Sequence, residues 1–158
     1  MIRALGALAN SGTMVQPHLV SSVRLNSGIE RKFDWSQTTP VFGANAVRET
    51  ADMMTAVVDE KLQGGKAIIS TMSVAAKTGT AQLTNEQGGY FSDRFFHSFV
   101  GFFPAYNPRF IILLYTSDPQ NVTYASDTLG STFLDLTHFL IDYYAIPPDR
   151  GFATTTPS

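Results

Sequence analysis

Apolar residues return along this chain with two different periods, and the periods mark its elements. Val47, Ala51, Met54, Val58 and Leu62 recur every three to four residues, the spacing of one helical face. They predict a helix from about Ala46 to Leu62, with Asn45 as its N-cap and Gly64-Gly65 as its stop. A second helix is predicted over 126–144. There Leu129, Phe133, Leu136, Phe139, Leu140 and Tyr143 form a wide apolar face expected to lie on a sheet, and Ile146-Pro147-Pro148 ends the helix. Ile2, Leu5 and Leu8 share one face of a short helical piece within Met1–Ala9, closed by Asn10-Ser11-Gly12. So short a piece is marginal alone and reads as the last turns of a longer helix.

The other period is two. Met14–His18 reads as an extended connector and Leu19–Leu25 as a strand. After a turn at Asn26-Ser27-Gly28, Ile29–Phe33 returns as its hairpin partner. Ser36–Asn45 is a polar loop with Pro40 and Gly43. Three strands then follow in series, over 73–83, 95–103 and 109–117. Phe110-Ile111-Ile112-Leu113-Leu114-Tyr115 is a continuous apolar run, which predicts a strand buried on both faces. The Pro104–Pro108 turn is too short for a crossover helix, so the strands on either side of it are antiparallel neighbours.

At 158 residues and 44% hydrophobic composition, the chain can build one real core. A formal net charge of −2 offers no basic field for nucleic acid. Without cysteine there is no disulfide framework and no thiolate chemistry, a composition compatible with export. No run of about 18 apolar residues is present to span a membrane, and the N-terminus lacks the pattern of a secretory signal. His18, His97 and His138 are too scattered to suggest a metal site, and no cofactor motif is found: Gly64-Gly65-Lys66-Ala67 lacks the spacing and hydroxyl of a phosphate loop. His97 could face a groove, although a lone histidine is more often structural. The aromatic group Tyr90, Phe91, Phe95 and Phe96 has no basic surround and reads as packing or as a loop beside a groove.

The chemistry concentrates in Val74-Ala75-Ala76-Lys77-Thr78-Gly79-Thr80-Ala81-Gln82. On a strand, Thr78 and Thr80 share one face while Lys77 and Gly79 share the other. Such a strand can offer main-chain N–H groups, a cation and hydroxyls to an anionic ligand. Each feature also has a plainer reading. Lys77 could be a surface lysine that protects an edge strand from aggregation, the threonines could simply suit a strand, and Gly79 could mark a β-bulge.

Lys-Thr-Gly is one of three motifs of penicillin-binding proteins and related β-lactamases, beside S-x-x-K and an S-D-N type triplet. The longer stretch Ala75–Gln82 resembles the corresponding strand of penicillin-binding transpeptidases, notably the monofunctional cell-division and elongation enzymes. The resemblance continues through Ser98-Phe99-Val100-Gly101-Phe102-Phe103-Pro104, Asn107-Pro108-Arg109, Ala9-Asn10-Ser11-Gly12 and Gln16-Pro17-His18-Leu19-Val20. In order and spacing, residues 1–149 resemble the C-terminal portion of that transpeptidase domain, followed by a polar tail over 150–158 expected to be disordered.

The resemblance implies an α/β (α+β) fold, an antiparallel sheet with helices on both faces. It implies that the Lys77 ammonium lies in the active-site groove and tunes proton transfer. Thr78 and Thr80 would give hydroxyls to the carboxylate of a peptide stem or β-lactam, Gly79 would allow close approach, and the Thr80 N–H would belong to the oxyanion hole. The implied partners are peptidoglycan stem peptides, β-lactams, the N-terminal remainder of the domain, and division or elongation proteins. The implied location is the outer face of the bacterial cytoplasmic membrane. No serine stands three residues before Lys32, Lys61, Lys66 or Lys77, and none is followed two residues later by asparagine. The expectation is therefore a fragment that carries one wall of the site and lacks the nucleophile. A carboxypeptidase, a β-lactamase-like hydrolase and a non-catalytic module of the same fold remain as alternatives.

Overall fold

The computed structural model describes residues 1–151, so most of the expected polar tail lies outside the described residues. In chain order the elements are helix α1 (Ile2–Gly6), β1 (Thr13–Met14), β2 (Ser22–Arg24), β3 (Glu30–Lys32), β4 (Thr39–Pro40), helix α2 (Ala44–Ala56), β5 (Ala75–Thr84), β6 (Tyr90–Phe103), β7 (Phe110–Ser117) and helix α3 (Ala125–Tyr143). A π-helical turn over Val57–Lys61 and a 3-10 turn over Leu62–Gly65 continue α2. The helix begins at Ala44 with Gly43, not Asn45, at its N-cap, and has no side-chain cap. Asn45 falls inside the first turn, where its amide cannot serve as the cap. The expected stripe holds nonetheless: Val47, Ala51, Met54, Val58 and Leu62 are all buried. The chain unwinds where Gln63, Gly64 and Gly65 take positive φ, a conformation that glycine adopts without steric cost.

β5, β6 and β7 form one antiparallel sheet with β6 in the centre. β6 starts at Tyr90, five residues before its expected start, because the hairpin with β5 extends past a register shift between Gln82 and Thr84. The strand period sorts the side chains into two cores. Ala76, Phe99, Phe103 and the half-buried Phe110, Ile112 and Leu114 meet α3 through Leu129 and Phe133. Ala75, Phe102 and the half-buried Ile111 meet α2 through Ala51 and Met54. Helices thus cover both faces, as expected for an α+β layer structure. Gly101 lets α3 lie close: a Cβ there would come within 2.8 Å of Phe133 Cε2 and 2.9 Å of Ala76 Cβ.

The end of the described chain is tied down. The Asp149 carboxylate accepts from the Ser73 N–H at 2.6 Å and from the Ser73 hydroxyl, and Arg150 makes a two-pronged contact with Asp59 at 3.0 and 2.7 Å. Arg150, placed in the tail by the sequence reading, is therefore packed. The loop expected over Ser36–Asn45 contains β4, which pairs with β1, while β2 and β3 form the expected hairpin.

Two apolar expectations need correction. On α3, Leu136 (37% exposed), Phe139 (59%) and Tyr143 (70%) point away from the sheet. On β7 the α3 face is covered along the strand and the α2 face only near its start. Among the described residues its outer edge has no strand partner, and on the α2 side cover stops near Ile111, leaving Leu113 half-buried and Tyr115 68% exposed. A long apolar edge without proline or inward charge templates pairing with other chains. The isolated chain is expected to self-associate, with a sedimentation coefficient that falls on dilution; a dilution-independent monomer would contradict an uncovered β7 edge.

Candidate functional site

The Lys77–Thr80 stretch lies on β5, whose outer edge is open among the described residues. Which groups face that edge follows from the ladder. The Asp118 N–H donates to the Phe95 carbonyl at 2.8 Å, so the main chain of Phe95 faces β7. In an antiparallel strand the period of two then turns His97 and Phe99 toward β7, and Phe96, Ser98 and Val100 toward β5. Ser98 stands opposite Gly79 and Val100 opposite Lys77. Lys77 and Gly79 therefore pair inward, while Thr78 and Thr80 direct their main-chain N–H and C=O groups to the open edge. The Lys77 ammonium agrees with this geometry, donating to the Thr78 carbonyl at 2.7 Å.

The side chains divide as the strand period predicts. Lys77 and Gly79 lie on the α2 side, beyond the reach of α2, on the same bare sheet surface as Val100, Leu113 and Tyr115. Lys77 is exposed and, among the described residues, touches no carboxylate at ion-pair distance. Gly79 is not a bulge, because its register is regular. Its missing side chain makes room for Ser98, whose Oγ would lie 2.6 Å from a Cβ at that position. Thr78 and Thr80 lie on the α3 side. The Thr80 hydroxyl oxygen accepts the Ala125 N–H at 3.2 Å, which leaves its own proton to donate.

His97 does not face the groove. It is fully buried, with Nδ1 2.9 Å from the Thr128 hydroxyl and Nε2 3.0 Å from the Thr123 carbonyl. Three of the four aromatics pack against neighbours, Phe96 on Tyr115, Phe95 on His97 and Phe91 under Arg94, while Tyr90 is exposed. Arg94 also bonds Asp118 at 2.9 and 2.6 Å. That hydrogen bond holds the Asp118 carboxyl below its ordinary value and the guanidinium above its own. Among the described residues no three metal-capable side chains cluster. The sequence reading missed Ser98 and Ala125. The hairpin register alone could have found Ser98; Ala125 carries no side-chain signal, since its part is played by its main chain.

An antiparallel sheet with helices on both faces and Lys-Thr-Gly-Thr on an open edge strand is the architecture of the penicillin-binding transpeptidases. Penicillin binding protein 3 of Mycobacterium tuberculosis, solved in complex with aztreonam, superposes with a TM-score of 0.77 at 25% identity, covering 92% of this chain and 35% of that one. A peptidoglycan synthetase from Bifidobacterium adolescentis shares the fold with a TM-score of 0.77 at 21% identity, over 98% of this chain and 28% of that one. The family profile of the penicillin binding protein transpeptidase domain matches residues 1–137. The chain belongs to that family. A peptidoglycan D,D-transpeptidase FtsI homolog of Mesostigma viride is 28% identical over 158 residues, 89% of this chain and 26% of the relative. Penicillin-binding protein PbpB of Mycolicibacterium smegmatis is 26% identical over 155 residues, 91% of this chain and 24% of the relative. The chain thus spans about a quarter of the length of these curated relatives.

Proposed function

We propose that residues 1–149 form the C-terminal wall of a peptidoglycan D,D-transpeptidase site, completed by a segment that brings the serine nucleophile. The observation that carries this reading is the open edge of β5. The Thr80 N–H points out from that edge, with the Lys77 ammonium on one face of the strand and the Thr78 and Thr80 hydroxyls on the other, beside a sheet surface left bare. In the proposed reaction the serine Oγ attacks the penultimate D-Ala carbonyl of a stem peptide. The C–N bond to the terminal D-Ala breaks, and that residue leaves as an amine carrying the proton. The amine of a second stem peptide then attacks the acyl-serine, and its proton returns to the serine oxygen. β-Lactams acylate the same serine, the opened lactam nitrogen taking the proton.

Each wall residue has a part. The Thr80 N–H, with the N–H of the serine, donates to the oxyanion; one such donor is worth roughly 2.7–4 kcal/mol. Lys77 reaches from the bare surface toward the nucleophile and tunes its proton transfer. Thr78 and Thr80 donate hydroxyl protons to the ligand carboxylate, and Gly79 keeps the strand flat against Ser98. The parent protein works at the outer face of the bacterial cytoplasmic membrane, in a division or elongation assembly. No described helix is long and apolar enough to cross a membrane.

A fluorescent penicillin tests the reading. The full-length protein is expected to be labelled covalently on one serine outside this chain, and the purified 158-residue chain to remain unlabelled. Labelling of the isolated chain, or none of the full-length protein, would overturn the proposal.

A further inference from the structure

Among the described residues, the wall leaves one buried titratable side chain without a use. His97 stands directly across the ladder from Thr80, on the α3 face of the sheet, with no exposed surface. A carbonyl oxygen can only accept, so Nε2 donates to Thr123, while Nδ1 bonds the Thr128 hydroxyl, which also lies 3.3 Å from the Ala125 carbonyl. These two partners bracket Ala125, the first residue of α3. The N-cap of that nineteen-residue helix is Tyr124, which makes no side-chain cap. The missing acceptor comes from the strand: the Ala125 N–H donates to the Thr80 hydroxyl oxygen at 3.2 Å. An orphan N–H at a helix start calls for such a partner. With one lone pair held by that N–H, the Thr80 hydroxyl keeps its proton for a ligand.

We propose that His97 is a positioning residue: by pinning Thr123 and Thr128 it holds the Ala125 N–H against Thr80, and so orients the Thr80 hydroxyl as the donor to the ligand carboxylate. The inference rests on the wall reading above and adds to it a residue that touches no ligand. His97 acts only through Thr80, so its effect requires both the Thr80 hydroxyl and a ligand anion.

The test is a double-mutant cycle in the full-length protein, following acylation by benzylpenicillin and by its methyl ester, which lacks the carboxylate charge. His97→Leu is expected to slow acylation by benzylpenicillin about tenfold, the scale of one hydrogen bond to a charged group. It is expected to leave the ester rate within about twofold, a change too small to count as one hydrogen bond. His97→Gln, whose amide can still donate to Thr123, is expected to recover part of the loss. In a Thr80→Val background, His97→Leu is expected to add nothing. Equal losses in the Thr80 and Thr80→Val backgrounds, or equal losses for acid and ester, would show a merely structural role and overturn the inference. Should His97→Leu fail to fold, Thr128→Val removes one of the two ring partners and is read the same way. If Thr80→Val and Lys77→Ala leave acylation unchanged, the wall reading fails and this inference with it. If they slow acylation but His97 does not couple to Thr80, the inference alone fails.

Discussion

Phe133→Ala is expected to lower the stability of the chain by about 3–5 kcal/mol, the cost of deleting a fully buried aromatic ring. That is a large share of the roughly 5–15 kcal/mol that holds a domain folded. Phe133 has no exposed surface, stacks on Phe99 with ring centroids 4.5 Å apart, and sits over Gly101. Below it the site cannot collapse, because Gly101 has no side chain to move into the void and β6 is paired on both edges. Leu136→Ala, three residues further along the same helix, is expected to cost less than about 1 kcal/mol, since that side chain is already 37% exposed. Denaturant unfolding at a concentration where the chain is monomeric checks both, as a fall in midpoint without a change in slope. A loss below about 1 kcal/mol for Phe133→Ala would contradict the packing of α3 on the sheet.

That contrast also shows what the hydrophobic pattern can reveal. On α2 the apolar stripe is narrow and ends where the glycines begin, so its five buried positions follow from spacing alone. On α3 apolar residues occupy more of the circumference than the sheet can cover. The face that docks is chosen by close fit: Ala125, Gly130 and Thr137 are buried beside Leu129 and Phe133. Thr137 fits because its hydroxyl returns to the Phe133 carbonyl at 2.8 Å. Phe139 and Tyr143, larger and more apolar than Thr137, stay outside and stack on each other. Spacing does not record that choice. The two-residue pairing of β1 with β4 is invisible for a different reason, since a ladder that short has no period.

The candidate site divides in the same way. The alternation of Lys77 and Gly79 against Thr78 and Thr80 is a property of any strand and was legible. That β5 is an edge strand, and that Thr78 and Thr80 turn their main chains outward, depends on strand order and register. Ala125 comes to Thr80 from 45 residues away, and its contribution is a main-chain N–H that every residue but proline carries. The run Phe110–Tyr115 was legible as a strand but not as one whose cover on the second face ends near Ile111, because cover is supplied by other elements.

Lys77 carries the central claim. Among the described residues it bonds only to the carbonyl of its neighbour, and it is exposed. Removing its ammonium therefore takes away no packing, and the folded chain should not register the change. A surface lysine that merely protects an edge strand would, when replaced by alanine, increase aggregation and leave the chemistry alone. A lysine that tunes the nucleophile would do the reverse. The direct measurement is the rate of serine acylation by benzylpenicillin in the full-length protein and in its Lys77→Ala variant, alongside the thermal midpoint of each. The wall reading predicts a fall in rate of roughly 10²–10³-fold, the scale of one preorganised charged or hydrogen-bonding group, with the midpoint unchanged. Equal acylation rates in the two proteins would contradict it.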